Sequence, residues 1–178
     1  ISGKEGVSCG YDILGTFLYA CKRKNLKLYA LINPYRIRGD SDTSDISNSN
    51  PAFQYLGTDV VEVNDGVFYN PAREESRKII VDGVEEVVKN YDIDGVIFDD
   101  YFYPNTEIDL EEYEKYQQEH PKVSLDTFRF NQVNDLIRRV YDVCHKYDTL
   151  FGVSPDGNIE NNYQKHYADV KKWGSEEG

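Results

Sequence analysis

Asp94-Gly95-Val96-Ile97-Phe98-Asp99-Asp100-Tyr101 is the stretch that decides the fold. Val96-Ile97-Phe98 is a short, unbroken apolar run, the pattern of a strand buried in a parallel sheet, and Asp94-Gly95 turns the chain into it. Two carboxylates follow where the apolar run stops. In open α/β sheets and in βα barrels, ligands collect at the carboxyl ends of the strands, so Asp99 and Asp100 stand where function gathers. Successive strand residues point to opposite faces. One aspartate is therefore expected to face a substrate and the other to orient it or an arginine.

Working outward, Glu74 to Asn90 places Ile79, Ile80, Val84, Val87 and Val88 on one helical face, and Gly66 to Asn70 before it reads as a short strand. The polar stretch from Arg38 to Asn64 predicts a long loop. Upstream, Asp12 to Lys24 has near-helical apolar spacing and a basic end, followed by a strand from Leu26 to Ile32. Downstream, Asn105 to Pro121 predicts an excursion from the strand end with a short helix. Asp126 is the expected cap of a helix marked by Val133, Leu136, Ile137, Val140, Tyr141 and Cys144. The strand Leu150 to Val153, the turn Ser154-Pro155-Asp156-Gly157 and a last helix around Tyr163 to Trp173 complete the pass. Alternating helix and strand implies an α/β fold with a parallel sheet and right-handed crossovers.

At 178 residues the chain is short for a complete eight-fold βα barrel, which needs about 250 residues. It begins at Ile1 and contains no Met, so both ends are expected to be truncated. With 32 acidic against 20 basic residues the formal charge is -12, opposite to what phosphate neutralisation requires, and no nucleic-acid partner is expected. No apolar run approaches the roughly 18 to 20 residues of a membrane span. Cys9, Cys21 and Cys144 are widely spaced, and His120, His145 and His166 are scattered, so no zinc site, other metal site or cofactor is expected.

Three strand ends then converge on one face. They carry Asn33, Tyr35 and Arg36 on the first, Asp99, Asp100, Tyr101 and Tyr103 on the second, and Ser154 and Asp156 on the third. Carboxylates and amides bind hydroxyl groups and tyrosines cover sugar faces, so the mixture suits a polyhydroxylated ligand. A carboxylate whose pKa is raised by burial or mutual repulsion can protonate a glycosidic oxygen, which makes Asp99 and Asp100 the catalytic candidates. The others are candidates for substrate binding. Against this stand plainer readings: a cap at the strand end for the aspartates, charge neutralisation for Arg36, packing for the tyrosines and a turn for Ser154.

The run Asp94 to Pro104 resembles the signature of the glycosyl-hydrolase-like 10 family, and the likeness continues through Ala30 to Ile37, Asn70-Pro71 with Arg77, Phe151 to Gly157 and Tyr167 to Trp173. The resemblance implies a partial (β/α)8 TIM barrel, and a glycosidase acting on bacterial cell-wall glycan strands in the envelope or outside the cell. It also implies further strands beyond Trp173 and before Ile1. The sequence departs from the family pattern at Asn70, where an Asp is usual, at Phe128-Arg129-Phe130, where Trp-Arg-Arg is usual, and at Asp156, where an aromatic residue is common.

Cleavage by hydrolysis or by intramolecular transglycosylation is compatible with these residues, and a noncatalytic carbohydrate-binding module is the alternative. A magnesium-dependent phosphoryl site needs a Lys at a later strand end, and Val153-Ser154-Pro155 has none. Asp40 to Asp45 begins like a calcium loop but lacks the Gly at its sixth place and has Pro51 at its twelfth, so it is not an EF-hand. Arg38-Gly39-Asp40 is too short to signify. An open barrel segment exposes strand edges and an apolar inner face, so self-association or companion segments of the same chain are expected as partners.

Overall fold

The computed structural model describes residues 6–63, 66–99, 102–104 and 107–175. Its centre is a three-stranded parallel sheet in the order β1-β5-β6, formed by Tyr29–Ile32, Gly95–Phe98 and Leu150–Val153. The strands run in step, with Ile32 opposite Phe98 and Phe98 opposite Val153. Asp94 braces the start of the sheet: its carboxylate accepts the Leu28 amide at 2.7 Å and its own amide donates to the Leu28 carbonyl at 2.9 Å. Strand β1 begins at Tyr29, later than the Leu26 read from the sequence.

One face of this sheet is covered by helices α2 (Glu74–Asn90) and α4 (Leu125–Lys146). In α2, Ile80, Val84 and Val88 recur every four residues and are buried; in α4, Val133, Leu136, Val140 and Cys144 are all fully buried. These two stripes meet Val96 and Phe98, both at 0 % exposure, and Phe98 packs edge to face on Phe151. Glu74 and Glu75 in the first turn of α2 and Lys89 in its last complement the helix dipole. Helix α4 is capped by Ser124, whose hydroxyl accepts the Thr127 amide at 3.2 Å, and Asp126 lies inside the first turn. Ser124 takes the cap because its backbone is extended, the conformation an N-cap residue needs.

Among the described residues the opposite face of the sheet is largely uncovered. Tyr29, Leu31 and Leu150, which belong to rows alternating with the buried ones, are 38 %, 64 % and 60 % exposed. Helix α1 (Ile13–Arg23) is capped by Asp12, yet it buries none of its residues fully and leaves Phe17 and Tyr19 exposed.

The stretch read as a loop from Arg38 to Asn64 instead contributes to a second sheet, antiparallel, in the order β2-β4-β3 (Arg36–Arg38, Gly66–Tyr69, Val60–Val63), with a 3-10 turn at Phe53–Tyr55 between β2 and β3. Strand β4 was legible, but β2 has one apolar residue between two arginines and acquires its strand form by pairing with β4. The Tyr69 amide donates to the Tyr35 carbonyl at 2.9 Å, which fastens this sheet just past the end of β1. Helix α3 (Leu110–Glu119) fills the expected excursion. The expected last helix is split into α5 (Ile159–Gln164) and α6 (Val170–Trp173), because Tyr167 adopts a left-handed backbone, φ 51°, that interrupts it. The architecture is thus mixed α/β with a three-stranded parallel sheet and flanking helices.

Candidate active site at the strand ends

The hydrogen-bond ladder continues one step beyond the strands. The Asp99 amide donates to the Ile32 carbonyl at 3.0 Å, and the Ser154 amide donates to the Phe98 carbonyl at 2.7 Å. Asn33, Asp99 and Ser154 therefore stand side by side along the carboxyl edge of the sheet. Asn33 and Ser154 are exposed and Asp99 is partly buried. Such a row offers a carboxylate flanked by an amide and a hydroxyl, groups that exchange hydrogen bonds with a polyol. Asp100 and Tyr101 lie outside the described residues.

The remaining candidates are placed differently. Tyr35 and Tyr103 are 1 % and 3 % exposed. Their rings fill the core beneath the edge, so neither offers a face to a ligand, and burial raises the pKa of both phenols. Tyr103 packs edge to face on Tyr167, with ring centroids 5.0 Å apart. Its hydroxyl lies beside the Asp109 carboxylate without the geometry of a good hydrogen bond. Arg36 opens β2 on the exposed side. Asp156 serves its own turn: its carboxylate accepts the Asn158 amide at 2.8 Å and the Asn161 side-chain amide at 3.0 Å, with His166 at 3.5 Å. These donors, the Asn158 amide first, hold Asp156 below its ordinary carboxylate pKa. The structure thus brings Asn33, Asp99 and Ser154 together, while Tyr35, Tyr103 and Asp156 are engaged in packing and turn formation.

Two buried arginines, named in the sequence only within the family resemblance and assigned no role there, support the edge. Arg77 donates to Asp135 at 3.1 Å, to the Pro71 carbonyl at 2.8 Å and to Glu74 at 2.9 Å. Arg129 donates to both oxygens of Asp109 at 2.8 Å. Each sits on the apolar stripe of its helix, Arg77 below Ile80 and Val84, Arg129 below Val133 and Ile137. A charge at a stripe position signals a buried partner. Asn70, 2 % exposed, donates to the Ile108 carbonyl at 2.8 Å and to Glu112 at 3.1 Å, so the amide that departs from the family pattern joins two segments. Among the described residues no group of three or more His, Cys, Asp or Glu is arranged to hold a metal ion.

A separate groove of about 620 Å³ runs along β6 between α4 and α6, lined by Phe151, Val153, Tyr141, Arg138 and Trp173 among others. Among its lining residues the Trp173 indole donates to Asn134 at 2.7 Å. The groove follows the free edge of the sheet.

The chain is 33 % identical over 196 residues to a Bacillus subtilis protein named glycosyl hydrolase YngK, an alignment covering 97 % of this chain and 38 % of that protein. It is 31 % identical over 201 residues to the Escherichia coli K12 protein named glycosyl hydrolase DigH, covering 97 % of this chain and 45 % of the relative. The chain therefore spans less than half the length of these curated relatives. The match to the family described as Glycosyl hydrolase-like 10 extends over residues 1–178, and the chain belongs to that family.

Proposed function

We propose that this chain carries the catalytic edge of a glycosidase that cleaves the glycan strands of bacterial peptidoglycan, with Asp99 and Asp100 supplying the carboxylate chemistry. The observation that carries the reading is the placement of Asp99 between Asn33 and Ser154 on the carboxyl edge of a parallel sheet. Asp99 or Asp100 acts as acid or stabilising carboxylate at the glycosidic bond. Asn33 and Ser154 hold substrate hydroxyls. The relatives named glycosyl hydrolase support bond cleavage, and the cell-wall substrate and envelope location rest on the family resemblance.

In this reading the sheet is an arc of a (β/α)8 barrel. The bare face carrying Tyr29, Leu31 and Leu150 turns inward, and the free edge of β6 with its groove accepts a neighbouring βα unit. The partners are then an oligosaccharide or polysaccharide and the companion segments that close the barrel. A noncatalytic carbohydrate-binding module is the second reading; the uncovered face favours it wherever the sheet operates without those segments.

The deciding experiment incubates the full-length protein with peptide-free cell-wall glycan and compares wild type with Asp99→Asn and Asp100→Asn. Soluble fragments from wild type, lost in either variant with folding intact, support the proposal. Mass analysis of their ends as reducing or anhydro separates hydrolysis from transglycosylation. Retention of glycan without fragment release favours the binding module.

A further inference from the structure

One side chain on α4 grips the loop that leaves the Asp99 strand end. Arg129 meets Asp109 with two parallel bonds, Nε to Oδ2 and Nη2 to Oδ1, each 2.8 Å, and its Nη1 donates to the Tyr167 hydroxyl at 2.8 Å. The Arg129 and Asp109 side chains are 4 % and 0 % exposed. The guanidinium carbon also lies 5.7 Å from the Tyr103 ring centre and 5.1 Å from that of Tyr167. A single arginine therefore joins three segments: the loop between Asp99 and α3, through Tyr103 and Asp109; helix α4; and the stretch between α5 and α6.

Stability alone does not account for this arrangement. Removing two charges from water offsets most of their attraction, and apolar side chains of similar volume fill such a place at least as well. Tyr167 adds a second unfavourable feature, because its φ of 51° is strained for a bulky aromatic residue. Asn25 and Asp148, the other described non-glycine residues with positive φ, follow the C-caps of α1 and α4, where Asn and Asp adopt this conformation at little cost. Tyr167 is held there by the Arg129 bond and by its ring contacts with Tyr103 and Phe130. Both unfavourable features serve one geometry. A second hold adjoins the first: Asn70 bonds the Ile108 carbonyl, and Arg73 reaches Glu112 at 2.6 Å. The near end of the loop is fixed by the Asp99 amide on Ile32.

We infer that Arg129 is a positioning residue: it anchors Tyr103 and Asp109, beyond the Asp99 strand end, to α4 and Tyr167, and thereby sets the alignment of Asp99 with its substrate. The inference rests on the glycosidase reading for its functional consequence and on the structure alone for the clamp.

The test compares the full-length wild type with Arg129→Lys and with the double replacement Asp109→Leu/Arg129→Met. The apolar pair removes both charges together and is expected to melt near wild type. Its kcat is expected to fall roughly 10²-fold with KM little changed, the signature of a misplaced reacting group. Amide exchange at Phe102, Tyr103 and 107–109 should quicken by about tenfold or more while α4 stays protected. Arg129→Lys, which keeps the charge and loses the two-pronged bond, should show the same changes in smaller measure, and it decides the matter if the double variant fails to fold. Wild-type kcat and wild-type exchange in a folded variant overturn the inference, as does a kcat loss that merely follows the unfolded fraction. If wild type cleaves no glycan the glycosidase reading fails, and the exchange measurement still decides whether the clamp positions the loop.

Discussion

The Asp99 amide donates to the Ile32 carbonyl at 3.0 Å, one step beyond the last paired residues of β1 and β5. That bond fixes the backbone from which the candidate carboxylate projects. The backbone bond does not involve the side chain, so Asp99→Asn should fold as wild type does. Glycan cleavage is expected to fall by about 10²- to 10⁴-fold, the usual contribution of an acid/base group. A thermal melt alongside the rate assay checks both halves of the expectation, and an unchanged rate would remove Asp99 from the chemistry.

Leu31, 64 % exposed on the bare face of the sheet, should report what covers that face. The isolated 178-residue chain is expected to associate as its concentration rises, and Leu31→Glu should weaken the association by placing a charge among Tyr29 and Leu150. Sedimentation over a range of concentrations measures this. A monomer at every concentration would show that the open sheet is self-sufficient.

Leu136, at 0 % exposure between α4 and the sheet, should be among the costliest truncations. Leu136→Ala is expected to destabilise the fold by about 2–5 kcal/mol through lost burial and the cavity left behind. Leu110→Ala, at a position 42 % exposed, should change stability by about 0.5 kcal/mol or less. Denaturant titration of the two variants provides the comparison.

Cys144 is buried, and burial pushes its thiol up to about 11, whereas Cys9 and Cys21 are partly exposed. Thiol reagents attack through the thiolate. At pH about 8, Cys9 and Cys21 should label in the native protein and Cys144 only after denaturant is added. Mass analysis of labelled peptides checks the order, and fast native labelling of Cys144 would contradict the packing of α4.

Asp156 gives the turn after β6 a pH dependence of defined sign. Its folded pKa lies below its unfolded value, because the Asn158 amide and then the Asn161 side chain donate to the charged form. The stabilisation is therefore complete above the unfolded carboxylate pKa of about 3.9 and is lost as pH falls through the lower folded value. Asp156→Ala should melt below wild type at neutral pH, with the difference shrinking as the solution is acidified below about pH 4. A gap that widens in acid would reverse the assignment.

How far the fold could be read beforehand depended on where each element finds its partners. Helices α2 and α4 and strands β1, β5 and β6 follow from apolar spacing within a few turns of chain, and the row Asn33, Asp99, Ser154 follows from the rule that strand ends carry the site. Strands β2 and β3 did not, because Arg36–Arg38 becomes a strand only by pairing with residues near Phe68. Arg77 and Arg129 stood on apolar stripes as visible exceptions, but their partners Asp135 and Asp109 lie 58 and 20 residues away. Tyr35 and Tyr103 read as binding residues in the sequence, since burial is a property of the assembled core that local pattern does not carry. Local periodicity determined the parallel sheet, its helices and its polar edge; tertiary packing decided which polar side chains turn inward to hold that edge, since a charge is buried only where distant chain segments bring its partner.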